Sequence, residues 1–267
     1  MTVNLRHDFD KAWQGRDPFS EVKALDGEIF RDVAGRRTLR FEFEGNRYFA
    51  KIHQGVGWQE IFKNFLVGKM PILGAENEWC AVAKLQECAI DTMTTVGFGS
   101  RGWNPAKRES FILTEALEDT VSLEDYCADW VQHPPSVQIK RQLIEQLARI
   151  SRRMHGNGVC HRDYYICHFL LHDVDAFTNG EHTIPKLSLI DLHRALNRRN
   201  LSQRWIVKDV AGLYFSALHI GLTQRDFLRF LQAYSGKSLR SALEEDGDFW
   251  KKVNHRALQM DKKHNQS

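Results

Sequence analysis

The sequence predicts an α+β fold of two lobes, an antiparallel sheet first and a mostly helical part after it. Three observations carry this. Strand-length segments cluster before residue 117, and one of them alternates apolar and polar residues with period two. Apolar residues recur at helical spacing from residue 137 onward. The 267 residues suffice for one large domain or for two fused lobes sharing a cleft. The boundary is drawn at 117/118, giving lobes 1–117 and 118–267.

Glu28–Val33 reads as the first strand, and Ala34-Gly35-Arg36-Arg37 as the turn after it. In Thr38–Glu44, Leu39, Phe41 and Phe43 point one way and Arg40, Glu42 and Glu44 the other, which is an antiparallel strand with one covered face. Gly45-Asn46 turns the chain into a third strand, Tyr48–His53. Trp58, Ile61, Phe62, Phe65 and Leu66 form the apolar stripe of a helix inserted at 56–70, ended by Pro71. Ala75–Cys88 is helical, with Trp79, Val82, Ala83 and Leu85 on its buried side. Strands Thr94–Phe98 and Ser110–Thr114 flank a polar loop, Gly99–Glu109.

Ser122 caps a short helix to Trp130, and Pro134-Pro135 breaks the chain. Val137–His155 is a long amphipathic helix carrying Ile139, Leu143, Leu147 and Ile150. A strand at Phe169–His172, a polar loop at Asp173–Lys186 and a strand at Leu187–Asp191 follow. Helices at Lys208–Ile220, Thr223–Tyr234 and Phe249–Met260 complete the chain.

The composition is that of a soluble globular protein: 42% hydrophobic, 27% charged, net charge +3. So small a basic excess argues against a nucleic-acid partner. The N-terminus lacks the apolar core of a secretory signal, and no apolar run is long enough to span a bilayer. These features predict a cytoplasmic protein, with attachment to a membrane surface left open. Cys80, Cys88, Cys127, Cys160 and Cys167 are odd in number and irregular in spacing, which predicts reduced thiols.

Phosphoryl transfer from ATP requires cations on the phosphates, a metal-binding carboxylate and a carboxylate at the attacking oxygen. The chain offers these parts in order. Lys51 lies in the third strand, Glu78 on the next helix, Asp163 in His161-Arg162-Asp163 after the long helix, and Asp191 at the end of a strand. Each alone has a plain structural reading, such as an edge-strand lysine, a solvated helix acid or a turn cap. Their order and their elements together point to a kinase.

The run Met154–Leu171, which contains Gly158-Val159-Cys160-His161-Arg162-Asp163-Tyr164-Tyr165, resembles the lipopolysaccharide core heptose(I) kinases of the protein-kinase-like superfamily. So do Ser122–Trp130, Ile190–Ala195 and Gly221–Asp226. The resemblance spans roughly Trp13 to Tyr234, with the Kdo kinases as a near alternative. It implies ATP and Mg2+, an acceptor at O-4 of the first inner-core heptose, and a protein-kinase-like bilobal fold. By the same resemblance Asp163 is the base or acceptor-orienting group, Lys51 contacts phosphates, and Glu78 orients Lys51, with Glu76 close enough in sequence to compete. Asp191 binds the metal, Glu115 and Leu117 lie at the hinge by the adenine, and Asp209 buttresses the catalytic loop unless it is a plain helix-start acid. The family also implies an association with acyl carrier protein and work at the cytoplasmic face of the inner membrane. The Trp58–Leu66 stripe is read as core, or as the place where the carrier or its acyl chain docks.

Three departures from the kinase pattern stand out. The glycine-rich loop is reduced to Gly35, followed by Arg36 and Arg37, whose side chains replace backbone contacts to phosphate. His168 stands where protein kinases have asparagine, so it becomes a metal ligand of a softer kind. Asp191 is followed by Leu192-His193, and no phosphorylation-switched activation segment is expected. Arg194, Arg198, Arg199, Arg204 and Lys208 form either a solvated basic loop or a recognition surface for an anionic glycolipid.

Two rival activities remain at this point. One is a protein kinase, including self-phosphorylation at Tyr164 or Tyr165; the other is a pseudokinase scaffold. A zinc site from Cys160, His161, Cys167, His168 and His172 is disfavoured, because the two cysteines lie seven apart and no second pair follows.

Overall fold

The structure is a computed structural model and describes residues 1–33, 35–55, 57–59, 62 and 74–266. Two compact units account for them. The first comprises residues 1–83, 93–118 and 192–194, and the second residues 84–92, 119–191 and 195–267.

The first unit is built on an antiparallel sheet of six strands. These are β1 (Thr2–Leu5), β2 (Glu28–Val33), β3 (Arg36–Phe43), β4 (Asn46–His53), β5 (Thr95–Arg101) and β6 (Glu109–Glu115), in the order β1-β5-β6-β4-β3-β2. One face carries Leu39, Phe41, Tyr48, Ala50, Ile52, Val96, Phe111 and Leu113. It is covered by Phe9 and Trp13 from the α1 region (α1, His7–Ala12) and by Phe19 and Val22 from α2 (Pro18–Ala24). The sequence reading starts its elements at Glu28 and misses β1 and both helices, which are only six and seven residues long and too short for a periodicity count.

The other face meets α3 (Glu76–Glu87), where Trp79 stacks on Phe98 with ring centroids 4.5 Å apart. The buried positions of α3 are Glu78, Ala81, Val82 and Leu85, whereas Ala83 is exposed. The helix is therefore turned so that an acid, not an alanine, faces inward. Of the stripe expected in the inserted helix, Trp58 and Phe62 are exposed, their rings 5.9 Å apart. Ile61, Phe65, Leu66 and Pro71 lie outside the described residues.

The second unit packs helices around small sheets. Its helices are α4 (Leu123–Tyr126), α5 (Val137–Gly156), α6 (Val174–Thr178), α7 (Gln203–Ser216), α8 (Gln224–Ser235) and α9 (Leu239–His264). Val207, Val210, Ala211, Leu231, Ala242, Trp250, Val253 and Ala257 make its helical core. Strands β7 (Thr120–Ser122), β9 (Phe169–His172) and β10 (Leu187–Leu189) pair in the order β10-β9-β7, and β8 (Val159–Cys160) pairs with β11 (Leu196–Asn197).

Several boundaries differ from expectation. The Asp173–Lys186 loop contains α6, and α7 begins at Gln203 rather than Lys208. The last helix starts ten residues before Phe249, at Leu239, with Ser238 accepting from Ser241 N. Gly247 and a run of acids hide its first half from a pattern search.

Candidate active site

In the first unit, the register of β3 and β4 pairs Arg36 with His53 and Thr38 with Lys51, so these four share one face of the sheet. It is also the face of Ile112, the side of α3. There Lys51 Nζ donates to Glu78 Oε1 at 2.7 Å. Glu78 is 1% exposed, so its charge depends on this lysine. Glu76, the competitor, points out and pairs with Arg108 at 3.3 Å. Helix geometry decides between the two, because residues two apart lie on different faces of α3.

Arg36 belongs with Lys51, but Arg37 does not. Arg37 follows Leu39 and Phe41 onto the opposite face and donates to the Lys23 carbonyl of α2 at 3.4 Å. A strand one residue out of phase cannot present both arginines to one ligand.

His53 was not singled out in the sequence, although it lies two residues beyond Lys51 on the same face. It is buried, and burial together with Arg36, Lys51 and His193 pushes its pKa down to about 3. Phe49, also two residues from Lys51, meets Phe30 edge-on at 5.3 Å and adds an aromatic wall to the face. Glu115 ends β6, ion-pairs with Arg6 and donates its backbone N–H to the Thr94 carbonyl. Leu117 lies in the segment leaving β6.

In the second unit, Asp163 sits in the loop between β8 and β9, and buried Asp209 on α7 fixes that loop. Asp209 Oδ2 accepts from His161 N at 2.6 Å, and Oδ1 from Arg162 N at 2.9 Å. Arg162 is held at φ 74°, a region that ordinary side chains seldom occupy. The two amide bonds to a buried carboxylate stabilise that conformation, so the residue before Asp163 is fixed in direction.

Two histidines extend the frame. His161 Nε2 donates to the Ile190 carbonyl at 2.8 Å, and burial lowers its pKa, so it is a neutral strut. His168 Nδ1 donates to the Asp163 carbonyl at 2.7 Å. A carbonyl can only accept, so Nδ1 carries a proton, and Nε2 faces Asp191, whose Oδ2 is 3.8 Å away. Asp191 itself lies at φ 61°. An imidazole nitrogen beside a carboxylate would be a donor set that fits a divalent cation.

Arg194 lies in the 192–194 turn of the first unit, whereas Arg198 and Arg204 are exposed residues of the second. Arg198 N bonds the Gly158 carbonyl at 2.8 Å. Gly158 is required there: its φ is +83°, and a Cβ would fall 2.0 Å from the Arg198 carbonyl oxygen.

The cysteine–histidine cluster weighed for zinc does not assemble among the described residues. The one three-ligand group there is His155, Cys160 and Asp209. Asp209 is already committed to backbone amides, and burial holds the Cys160 thiol protonated. Tyr164 is 1% exposed, with its hydroxyl bonded to Ser151 Oγ at 2.8 Å, so it cannot be reached for phosphorylation.

Residues 20–234 match the lipopolysaccharide kinase (Kdo/WaaP) family. The lipopolysaccharide core heptose(I) kinase WaaP of Escherichia coli is 51% identical over 244 residues, covering 91% of each chain. WaaP of Pseudomonas aeruginosa is 50% identical over 246 residues, 92% of this chain and 91% of that one. A solved structure titled "WaaP in complex with acyl carrier protein" superposes with a TM-score of 0.84 at 44% identity, over 97% of this chain and 99% of that one. With its kinase-like α+β fold, the chain belongs to the lipopolysaccharide kinase (Kdo/WaaP) family.

Proposed function

We propose that this chain transfers the γ-phosphoryl group of ATP to O-4 of the first heptose of the lipopolysaccharide inner core. The buried Lys51–Glu78 pair carries the phosphotransfer reading, and the heptose(I) kinases carry the choice of acceptor. A lysine anchored by a buried acid is a cation held in place before the nucleotide arrives, which is the form of electrostatic help that phosphoryl transfer needs.

Lys51 and Arg36 hold the phosphates. Asp163 orients the acceptor hydroxyl and takes its proton as the oxygen attacks phosphorus. Asp191 and His168 hold a magnesium ion, which when bound neutralises charge on the phosphates. Asp209 and His161 keep the loop in its working shape. The backbone near Glu115 and Leu117, with Phe30 and Phe49, receives the adenine.

Acyl carrier protein is the second proposed partner, by analogy with the related WaaP complex. The second unit contains an apolar cavity of about 400 Å³, lined by Leu147, Val210, Leu213, Leu218, Phe227 and Phe230 among others. Its size and lining suit an acyl chain better than the exposed Trp58 and Phe62 do. No helix among the described residues is long and apolar enough to cross a membrane. A lipid-linked acceptor places the enzyme at the cytoplasmic face of the inner membrane as a peripheral protein.

The test is incubation with ATP and dephosphorylated heptose-containing core, followed by mass spectrometry of the glycolipid. One phosphate should appear on the first heptose, and Asp163→Ala should lower its rate by about 10²–10⁴. A wild-type enzyme that phosphorylates peptides but not the core would overturn the assignment.

A further inference from the structure

We propose that His168 gives the cation site beside Asp191 a preference for manganese(II) over magnesium, one that an oxygen ligand in its place would not give. The inference rests on the phosphotransfer reading above and deepens it, naming the residue that selects the metal.

His168 is held from three sides, all within the second unit. Strands β9 and β10 pair Phe169 with Leu189, and the ladder runs one step further, where the His168 carbonyl accepts from Ile190 N at 2.9 Å. This fixes His168 against the residue before Asp191. Its Nδ1 donates to the Asp163 carbonyl at 2.7 Å. Its ring lies over that of His161, with centroids 5.3 Å apart and planes 21° from parallel, and His161 is itself buried and bonded to the Ile190 carbonyl. The His168 ring cannot turn without losing these contacts, so Nε2 stays the atom presented to Asp191 Oδ2, 3.8 Å away. The two side chains are 20% and 31% exposed, and an ion can reach both.

A ring held by a backbone carbonyl through one nitrogen, with its other nitrogen beside a carboxylate, is the arrangement of a metal-binding histidine. The carbonyl fixes the ring's direction and makes the second nitrogen more basic. A contact of 3.8 Å is too long for a direct hydrogen bond. It is within the span of two ligands on one ion, since donors about 2.0–2.2 Å from a shared centre lie roughly 3–4 Å apart. An ion bound at Nε2 takes the place of any proton there. Magnesium is a hard ion that keeps to oxygen ligands, whereas manganese(II) fills the same six-coordinate sites and accepts imidazole more readily. Exchanging an oxygen ligand for nitrogen therefore costs magnesium more. Both ions fill the site, and His168 sets how far one outcompetes the other.

The experiment titrates Mn2+ into the full-length enzyme with β,γ-methylene-ATP, follows bound ion by loss of the free-ion EPR signal, and displaces it with Mg2+. Wild type is compared with His168→Asn and His168→Gln, which put an amide oxygen where the imidazole stood. Wild type is also prepared with 15N-labelled histidine, so that pulsed EPR separates a histidine nitrogen from the nitrogens of adenine. Bound Mn2+ should couple to 15N in wild type, and the coupling should vanish in both variants. The ratio of Mg2+ to Mn2+ dissociation constants should fall about tenfold or more in the variants. Mn2+ that binds wild type with no histidine coupling, a coupling that survives both substitutions, or an unchanged ratio would overturn the proposal. His168 would then be only an ion-pair partner of Asp191. Should neither variant fold, the wild-type spectrum alone still refutes the proposal if the coupling is absent. Wild type that binds no Mn2+ with the nucleotide analogue would overturn the phosphotransfer reading as well, an outcome distinct from binding without a histidine ligand.

Discussion

At the scale of single residues, two acids two positions apart differ entirely in consequence. Glu78 is buried on Lys51, while Glu76 is a surface partner of Arg108. Glu78→Ala should cut kcat/KM for ATP by about 10²-fold or more, since a loose lysine no longer stabilises charge on the phosphates. Glu76→Ala should stay within about twofold, as expected for a surface pair. Steady-state kinetics on both variants checks this. The spacing in the sequence left the choice open, and only the rotation of α3 settles it.

His53 makes a second prediction. Its folded pKa is depressed to about 3 from 6.5, so the unfolded chain binds its proton first as pH falls. Its contribution to stability is complete above pH 6.5 and is lost below it, at about 1.4 kcal/mol per pH unit, down toward pH 3. Urea unfolding at pH 7 and pH 5 should show a steeper loss for wild type than for His53→Gln; equal slopes would count against it.

At the scale of elements, the sheet was largely legible because period-two alternation is a direct image of one covered face. Strand β2 has the same bounds in sequence and structure; β3 and β4 begin two residues earlier in the structure, and β3 ends one residue earlier. The phase of that alternation also separates Arg36 from Arg37, a distinction available in the sequence but obscured by treating the turn as one basic patch. What could not be read were α1, α2 and α6, whose few turns are stabilised by tertiary packing of Phe9, Phe19 and Phe177 rather than by their own pattern. The catalytic loop depends on contacts distant in sequence. Gly158 admits the Arg198 carbonyl, and a side chain there meets both that oxygen and a left-handed φ. Gly158→Ala should destabilise the fold by about 1–3 kcal/mol from backbone strain alone, with a lower melting temperature and reduced turnover. An unchanged melting temperature would show that the 158–198 contact is dispensable.

At the scale of the whole molecule, the Lys51–Glu78 contact was legible because the lysine's strand and the acid's helix follow each other along the chain. The apolar cavity was not legible: most of its lining comes from α5, α7, α8 and the 217–223 segment, and its apolar residues read as ordinary core. Filling the cavity should separate partner binding from chemistry. Leu213→Trp should reduce co-purification with acyl carrier protein severalfold, while ATP affinity measured by calorimetry moves less than about twofold. Carrier binding that survives this substitution would place its acyl chain elsewhere.

The clamp that Asp209 sets on the loop around Asp163 reaches further than the geometry of one turn. In protein kinases the parts of the active site are often brought into place by an added phosphate on an activation loop. Here a carboxylate of the chain itself, Asp209, holds the loop through the His161 and Arg162 amides.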